Sequence, residues 1–205
     1  FKREWLAHRY TWLPDGMLAL PGGPPVHWTA LRRFATVDLA LSTKTSADYS
    51  VVAVFGATDD HRLVLLDLDR ARREGPDHVP ALQRSVARWQ LPVVWIEKAG
   101  IGLGVVQEAM RAGVPVRQLE ADKDKLARAL AATPLLERGG LLLPVHGPWI
   151  ADVEAELLGF PTWRHDDIVD VVAYGARVAA GYARSLAVLA RAKAAGFGAI
   201  ILTVD

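Results

Sequence analysis

The run Phe34-Ala35-Thr36-Val37-Asp38-Leu39-Ala40-Leu41 is apolar and rich in residues that favour strands, with one acid in its interior. This composition predicts a strand buried in a sheet. A carboxylate in such a strand is costly unless it has a partner. Asp38 therefore belongs either to an ion pair with one of the many arginines or to a functional site, and this run alone leaves both interpretations open.

Further elements extend from this run toward the C-terminus. Two β-rich runs, Ser50–Gly56 and Leu63–Leu68, follow after polar turns, which predicts three antiparallel strands joined as a meander. Helical periodicity then alternates with short apolar runs. The expected later strands are Pro92–Ile96, Val114–Leu119 and Leu141–Leu143. The expected helices are Val79–Trp89, Gly102–Ala112, Asp122–Arg138, Trp149–Leu158 and Asp166–Ala183.

This order of elements predicts an α/β fold of the RNase H-like type. We expect a mixed sheet of five strands or slightly more, in which three antiparallel strands precede parallel ones, with helices on both faces. The domain is expected to span residues 32–184. Residues 1–31, rich in Trp, Pro and Gly, are interpreted as a lead-in segment packed on the domain, and residues 185–205 as a helix–strand tail of uncertain role.

The composition argues against several classes of protein. With 24 basic and 23 acidic residues, the chain lacks a global positive charge, so any DNA affinity must come from a local basic face. It has no cysteine, and no two of its six histidines are spaced i, i+4, so thiolate sites and helical zinc sites are not expected. No apolar run is long enough for a membrane helix, and we expect a cytoplasmic protein without a membrane partner.

Acidic residues also stand at two other points of the predicted fold. Glu97 ends an apolar strand, at the edge where ligands commonly bind in α/β sheets. Asp166, Asp167 and Asp170 open the last helix, where acids alone would simply cap the helix and favour its dipole. Asp38, Glu97 and a pair of these helix-borne acids come from distant parts of the sequence, and their convergence would form an oxygen-only pocket of the kind that hard divalent cations prefer.

At these residues the chain resembles the nuclease domain of the terminase large subunit of tailed phages. The resemblance covers residues 1–182, and its last two segments together are the most specific part. The segments that carry it are Val37–Ala40, Ser46–Ser50, Trp95–Gly100, Asp124–Ala129, Gly140–Pro144, Glu156–Pro161 and His165–Asp170.

The resemblance implies an activity and a ligand set. It implies an endonuclease that cleaves double-stranded DNA with little sequence preference by the two-metal mechanism. Asp38, Glu97 and Asp167 are the implied ligands of two Mg²⁺ or Mn²⁺ ions, with Asp166 as an additional or alternative ligand.

Basic residues near the implied site are candidates for contacts with DNA. The resemblance implies that Lys125 and Arg128 face the DNA backbone, and Lys98 is assigned with them. Such contacts would add affinity without sequence preference. The alternative for Lys125 and Arg128 is an exposed helical face without a function.

The resemblance also implies partners. In the family, this domain follows a packaging ATPase in the same polypeptide, and the portal and the small terminase subunit are further expected partners in the host cytoplasm. This sequence has no Gly-x-x-x-x-Gly-Lys-Ser/Thr phosphate loop, so the chain by itself is not expected to hydrolyse ATP. The alternatives are another RNase H-like nuclease, such as a junction resolvase or an RNA-strand nuclease, and a non-catalytic DNA-binding domain.

Overall fold

The computed structural model describes residues 1–40, 49–98, 103–120 and 124–195. Within these ranges, nine strands and five α-helices are found. The strands are β1 (Arg9–Trp12), β2 (Met17–Ala19), β3 (Val26–His27), β4 (Arg32–Asp38), β5 (Ser50–Ala57), β6 (Leu63–Ala71), β7 (Val94–Glu97), β8 (Val116–Leu119) and β9 (Leu141–Pro144). The helices are α1 (Gly75–Trp89), α2 (Leu103–Arg111), α3 (Lys125–Glu137), α4 (Ile150–Gly159) and α5 (Asp167–Ala194).

The strands form one mixed sheet in the order β3-β2-β1-β9-β6-β5-β4-β7-β8. β4, β5 and β6 are antiparallel neighbours, whereas β7 and β8 continue the sheet in parallel beyond β4. The predicted mixed α/β sheet is thereby confirmed. Helices α3, α4 and α5 contribute to the core on one face of the sheet, and α1 and α2 to the core on the other.

The prediction of five or slightly more strands was too low, because the lead-in segment joins the sheet. β1 pairs in parallel with β9, and β9 pairs in parallel with β6, so residues 9–27 add three strands at one end. These strands have only two to four residues each and are separated by turns containing Pro and Gly. Runs this short do not develop the alternation by which a strand is recognised in a sequence.

Alternation along β4 decides where its acid lies. Phe34 packs in the core beneath α5, whereas Ala35 and Val37 pack in the opposite core. The hydroxyl of Thr36 donates a 2.7 Å hydrogen bond to the Val171 carbonyl of α5. Because side chains alternate with a period of two, Asp38 lies on the same face as Thr36, toward α5.

The neighbouring strand carries its acid to the same place. In the parallel pairing of β4 with β7, Val37 lies opposite Ile96. Ile96 belongs to the core on the α1 and α2 side, and Trp95 packs on the α5 side. Glu97 therefore shares the face of Trp95 and follows Asp38 at the same edge of the sheet.

Helix α5 packs closely across this face. Residues 167–176 are buried without interruption. At Gly175, an added Cβ would lie 2.8 Å from a ring carbon of Phe55, so only glycine allows the helix this close to β5. The predicted helix Asp166–Ala183 continues unbroken to Ala194, across the expected boundary at residue 184. The predicted strand of the tail lies outside the described residues. No helix in the described ranges is long and apolar enough to cross a membrane.

A buried acid of α4 fixes the start of α5. The carboxylate of Glu156, 1% exposed, accepts hydrogen bonds from the amides of Ile168 and Val169. Arg70 of β6 lies 3.0 Å from its second oxygen. Burial raises the pKa of Glu156 to about 7, although the two amides and Arg70 favour the ionised form. Two of the unpaired amides at the helix start thus obtain an acceptor inside the protein.

Replacing Glu156 by Ala is expected to lower the free energy of unfolding by about 3 kcal/mol, because it leaves two buried amides and a guanidinium without their acceptor. Urea unfolding followed by circular dichroism measures this loss. The matched control is Glu154→Ala in the same helix, whose ion pair with Arg9 is about 30% exposed on both sides. That variant should lose less than about 1 kcal/mol, and equal losses in the two variants would contradict the role of Glu156.

Candidate metal centre

Four carboxylates meet where β4 and β7 end and α5 begins. Asp38 and Glu97 are the last residues of their strands, and Asp167 opens α5 with Asp170 one turn later. The charges of Glu97, Asp167 and Asp170 all act on Asp38. Three elements that are distant in sequence therefore place their acids in one electrostatic cluster, called here the acid centre.

Asp38 is the acid of this cluster to which the described residues provide no partner. None of the hydrogen bonds or ion pairs found within the described ranges involves its carboxylate. Burial, and then the charges of Asp170, Asp167 and Glu97, raise the pKa of Asp38 to about 8, while Lys125 acts in the opposite direction. The ion pair with an arginine that the sequence left open for Asp38 is not found in this part of the chain. An acid in this situation binds a proton or another cation readily.

Asp167 is fixed more firmly than its neighbour Asp166. Asp167 is 3% exposed, accepts a hydrogen bond from the Tyr49 amide at 3.3 Å, and lies 3.8 Å from Arg70. The side chain of Asp166 is 37% exposed and pairs with Lys125 at the rim of the centre. Of the two adjacent acids, Asp167 thus points into the protein and Asp166 toward its surface.

The first turn of α3 brings two cations to the acid centre. The ammonium of Lys125 lies 2.6 Å from Asp166 and 2.8 Å from Asp170. Arg128 pairs with Asp170 at 2.6 Å and with Glu97 at 3.4 Å. Burial alone would lower the pKa of Lys125, but the carboxylates of Asp166 and Asp170 raise it above its ordinary value. A cation in a first helical turn is disfavoured by the helix dipole, so these carboxylates offset that cost.

The side chain of Asp124 positions this turn. It accepts a hydrogen bond from the Leu126 amide at 2.9 Å and so caps α3 directly before Lys125. An aspartate cap fixes the residue at which a helix begins. The cap therefore determines which faces of α3 carry Lys125 and Arg128 toward the acids.

The predicted basic residues differ in their surroundings. Lys125 and Arg128, expected to face the DNA backbone, contact the acids, and only 9% of the Arg128 side chain is exposed. Lys98 lies apart from them. Its side chain, 50% exposed, pairs with Glu120 at 3.2 Å, on the strand end next to Glu97.

A buried polar pair holds the chain just after Asp38. The hydroxyl of Ser50 accepts a hydrogen bond from the Ala40 amide at 3.0 Å and lies 2.9 Å from Nε2 of His78. The other ring nitrogen of His78 lies 2.8 Å from the Glu74 carbonyl in α1. Both Ser50 and His78 are 1% exposed. They tie the end of β4 to β5 and α1, and so support the position of Asp38.

Sequence reasoning missed several of these residues as members of the site. Asp170 carried a detectable signal, because it lies three residues after Asp167 and shares its helix face. No comparable signal marked Glu156, Ser50 and His78. A single acid, serine or histidine within an amphipathic pattern is compatible with many structural roles. Their roles depend on which elements pack together.

The donor set at the acid centre fits a hard divalent cation. All its candidate ligand atoms are carboxylate oxygens, which Mg²⁺ and Mn²⁺ prefer. The raised pKa of Asp38 indicates that positive charge is insufficient there. In the described ranges, no three acids or histidines are grouped closely enough to hold a metal without rearrangement. The cations Lys125 and Arg128 instead contact Asp166, Asp170 and Glu97.

Solved structures with the same fold include phage terminase nucleases. The large terminase nuclease of the thermophilic phage G20c with bound magnesium aligns with a TM-score of 0.62 and 17% identity, over 85% of this chain and 93% of that one. The same nuclease with bound zinc gives a TM-score of 0.60 and 20% identity, over 83% and 92% of the two chains. It has also been solved with bound cobalt.

This chain spans less than half the length of another solved structure that it matches. The large terminase of a second thermophilic bacteriophage, in complex with ADP, aligns with a TM-score of 0.57 and 10% identity. The alignment covers 85% of this chain but only 42% of that protein. At such low identities these likenesses establish the fold alone.

Sequence comparison gives the family. No curated protein matches the chain significantly in sequence. The family described as the terminase RNase H-like domain matches residues 35–176, which run from β4 into α5 and include every acid of the centre. This chain belongs to the terminase RNase H-like domain family.

Proposed function

We propose that this chain is a metal-dependent endonuclease that cuts double-stranded DNA with little sequence preference during phage genome packaging. The observation that carries the proposal is the acid centre, in which the charges of three other carboxylates act on Asp38 and the described residues offer it no partner. Membership of the terminase RNase H-like family supports the same activity.

The proposed ligands are acids at the ends of β4 and β7 and at the start of α5. Asp38, Glu97 and Asp167 would hold two Mg²⁺ or Mn²⁺ ions, with the more exposed Asp166 as an additional or alternative ligand. Two bound ions supply an activated water and a counter-charge for the leaving oxygen of a phosphodiester. The G20c nuclease, solved with magnesium, cobalt and zinc, supports the use of divalent metals at this fold.

The cations of α3 have separate roles in this proposal. Arg128 is almost buried and holds Asp170 and Glu97 in place. Its main role is therefore to orient these acids, and contact with DNA is secondary. Lys125 is 41% exposed and Lys98 is 50% exposed, so both can reach a phosphate at the rim of the centre. When divalent ions neutralise the acids, Lys125 loses its electrostatic reason to remain against them.

The proposed partners follow from the longer relative. That large terminase was solved with ADP, and this chain aligns with less than half of it. This supports a nucleotide-binding packaging ATPase elsewhere in the full-length polypeptide. The portal and the small terminase subunit are further proposed partners, and the host cytoplasm is the proposed location.

Nicking of supercoiled plasmid tests the activity directly. Wild type should cut with Mg²⁺ or Mn²⁺ and not with EDTA, because the acids alone cannot activate water. Asp38→Ala and Asp167→Ala should each reduce cleavage at least about 100-fold, the usual scale for loss of one major electrostatic contribution to catalysis. Circular dichroism establishes that each variant is folded.

The matched control is Asp152→Ala, which removes an exposed acid from the first turn of α4. It should cut like wild type. Retention of DNA in Mg²⁺ without cleavage, by a folded wild type, would favour a non-catalytic binding domain. Faster cleavage of four-way junctions or RNA–DNA hybrids than of duplex DNA would favour another RNase H-like nuclease.

The pKa of Asp38 predicts how stability depends on pH in the metal-free protein. The pKa of about 8 in the folded chain lies above the ordinary value of 3.8, so between these pH values the folded chain binds a proton that the unfolded chain has lost. The contribution of Asp38 to stability therefore falls as pH rises from about 4 to about 8. Asp38→Asn removes this loss because the amide stays neutral.

The melting temperature in EDTA, measured by differential scanning fluorimetry, checks this prediction. The advantage of Asp38→Asn over wild type should be small near pH 4, should grow up to pH 8, and should stay constant above it. Titration of Glu156 is common to both proteins and cancels in the difference. An advantage that did not change with pH would show that the acid centre does not hold a proton on Asp38.

A further inference from the structure

A groove leads away from the acid centre between α3 and α5. Its first part has a volume of about 200 Å³. A second hollow of about 150 Å³ shares Ala131, Ala176 and Ala180 with the first, so the two are continuous. Most of the floor is alanine, because small side chains at these positions leave a trough where the two helices pack.

The charged groups along this groove have one sign. The guanidinium groups of Arg128, Arg177 and Arg184 line the first part, and that of Arg138 lines the second. Among the described residues that line either part, none is acidic. The chain as a whole has 24 basic and 23 acidic residues, so this segregation is local and does not reflect the composition.

The groove is joined to the acid centre by one residue. Arg128 lines its inner end and pairs with Asp170 and Glu97. Arg177 and Arg184 follow along α5, and both are exposed. Arg177 donates a hydrogen bond to the Glu120 carbonyl at 3.1 Å, which holds its side chain beside β8.

We infer that this groove binds the sugar–phosphate backbone of one DNA strand and leads that strand to the acid centre. The choice of DNA as the occupant rests on the proposed nuclease function. The assignment of the groove as a binding site rests on its shape and its charge. Arg184 lies seven positions after Arg177, about 10.5 Å along the helix, and three base-pair steps of a duplex cover about the same distance. Deoxyribose would contact the alanine floor, and phosphates would contact the arginines above it.

The test measures DNA binding without cleavage. The fluorescence anisotropy of a short labelled duplex is followed in EDTA over a range of NaCl concentrations. Arg177→Ala combined with Arg184→Ala should weaken binding and reduce the slope of log K against log salt by about 1.8, because each lost phosphate contact contributes about 0.9. Alanine favours helix, so α5 should be preserved.

Two matched variants serve as controls. Arg177→Lys combined with Arg184→Lys retains both charges and should keep most of the wild-type slope. Arg84→Ala combined with Arg111→Ala removes two exposed arginines from α1 and α2, on the opposite face of the sheet, and should bind like wild type.

Three outcomes would overturn the inference. They are an unchanged slope in the alanine variant, an equal loss in the control on the opposite face, and a wild type that binds a labelled polyglutamate peptide but not the duplex. Plasmid cleavage, measured separately, distinguishes the two proposals. Cleavage by wild type with unchanged binding in the alanine variant rejects only the groove. Groove-dependent binding by a wild type that never cuts rejects only the nuclease.

Discussion

The structure depends on holding several like charges together at one edge of a sheet. β4 and β7 are parallel neighbours in register, so Asp38 and Glu97 leave the sheet side by side on the same face. Neighbouring strands lie about 4.8 Å apart, and two charges at that distance repel by about 3 kcal/mol at an effective dielectric constant of 20. The backbones of these residues cannot separate without breaking the strand pairing, so the repulsion must be relieved locally, in part by a proton on Asp38.

Cationic side chains from neighbouring elements reduce the repulsion between the acids. Arg128 and Lys125 neutralise the acids toward α3, and Arg70 lies between Glu156 and Asp167 toward β6. The helix bearing Asp167 is fixed independently of these charges, by the hydrogen bonds to Glu156 and by the close contact at Gly175. The backbone positions of the acids are therefore set by packing and buried hydrogen bonds. The cations of α3 orient the side chains of Asp170 and Glu97 and lower the electrostatic energy of the cluster.

The features that could be predicted from the sequence are those that depend on local patterns of residues. The acids at the ends of apolar runs and the helices Val79–Trp89 and Trp149–Leu158 follow from local periodicity, and each helix is found with close to its expected bounds. The strands of the lead-in segment could not be predicted, because β3 has only two residues and exists through its pairing with β2. Local composition contains no information on such a pairing.

The contacts of Lys125 and Arg128 could not be predicted from the sequence either, because they also depend on the packing of distant elements. Arg128 and Asp170 are 42 positions apart, and their contact depends on how α3 packs against α5. An amphipathic pattern predicts that a helix buries one face, but it does not predict which neighbour receives the polar side chains. The sequence could indicate that Lys125 and Arg128 bind an anionic group. Only the packing of α3 against α5 shows that they contact carboxylates of the same chain.

The two cations of α3 also differ in how easily they can be exchanged. Arg128 is planar, nearly buried, and bonded to Asp170 through both Nε and Nη2, so salt screens its ion pairs little. Lys125 is a compact ammonium whose side chain is 41% exposed, so water and salt compete for its contacts. In the proposed nuclease, a divalent ion bound beside Asp38 would meet one fixed cation, which keeps Asp170 and Glu97 oriented, and one exchangeable cation. The same turn of helix would then support the acids and provide a charge that could move to the substrate.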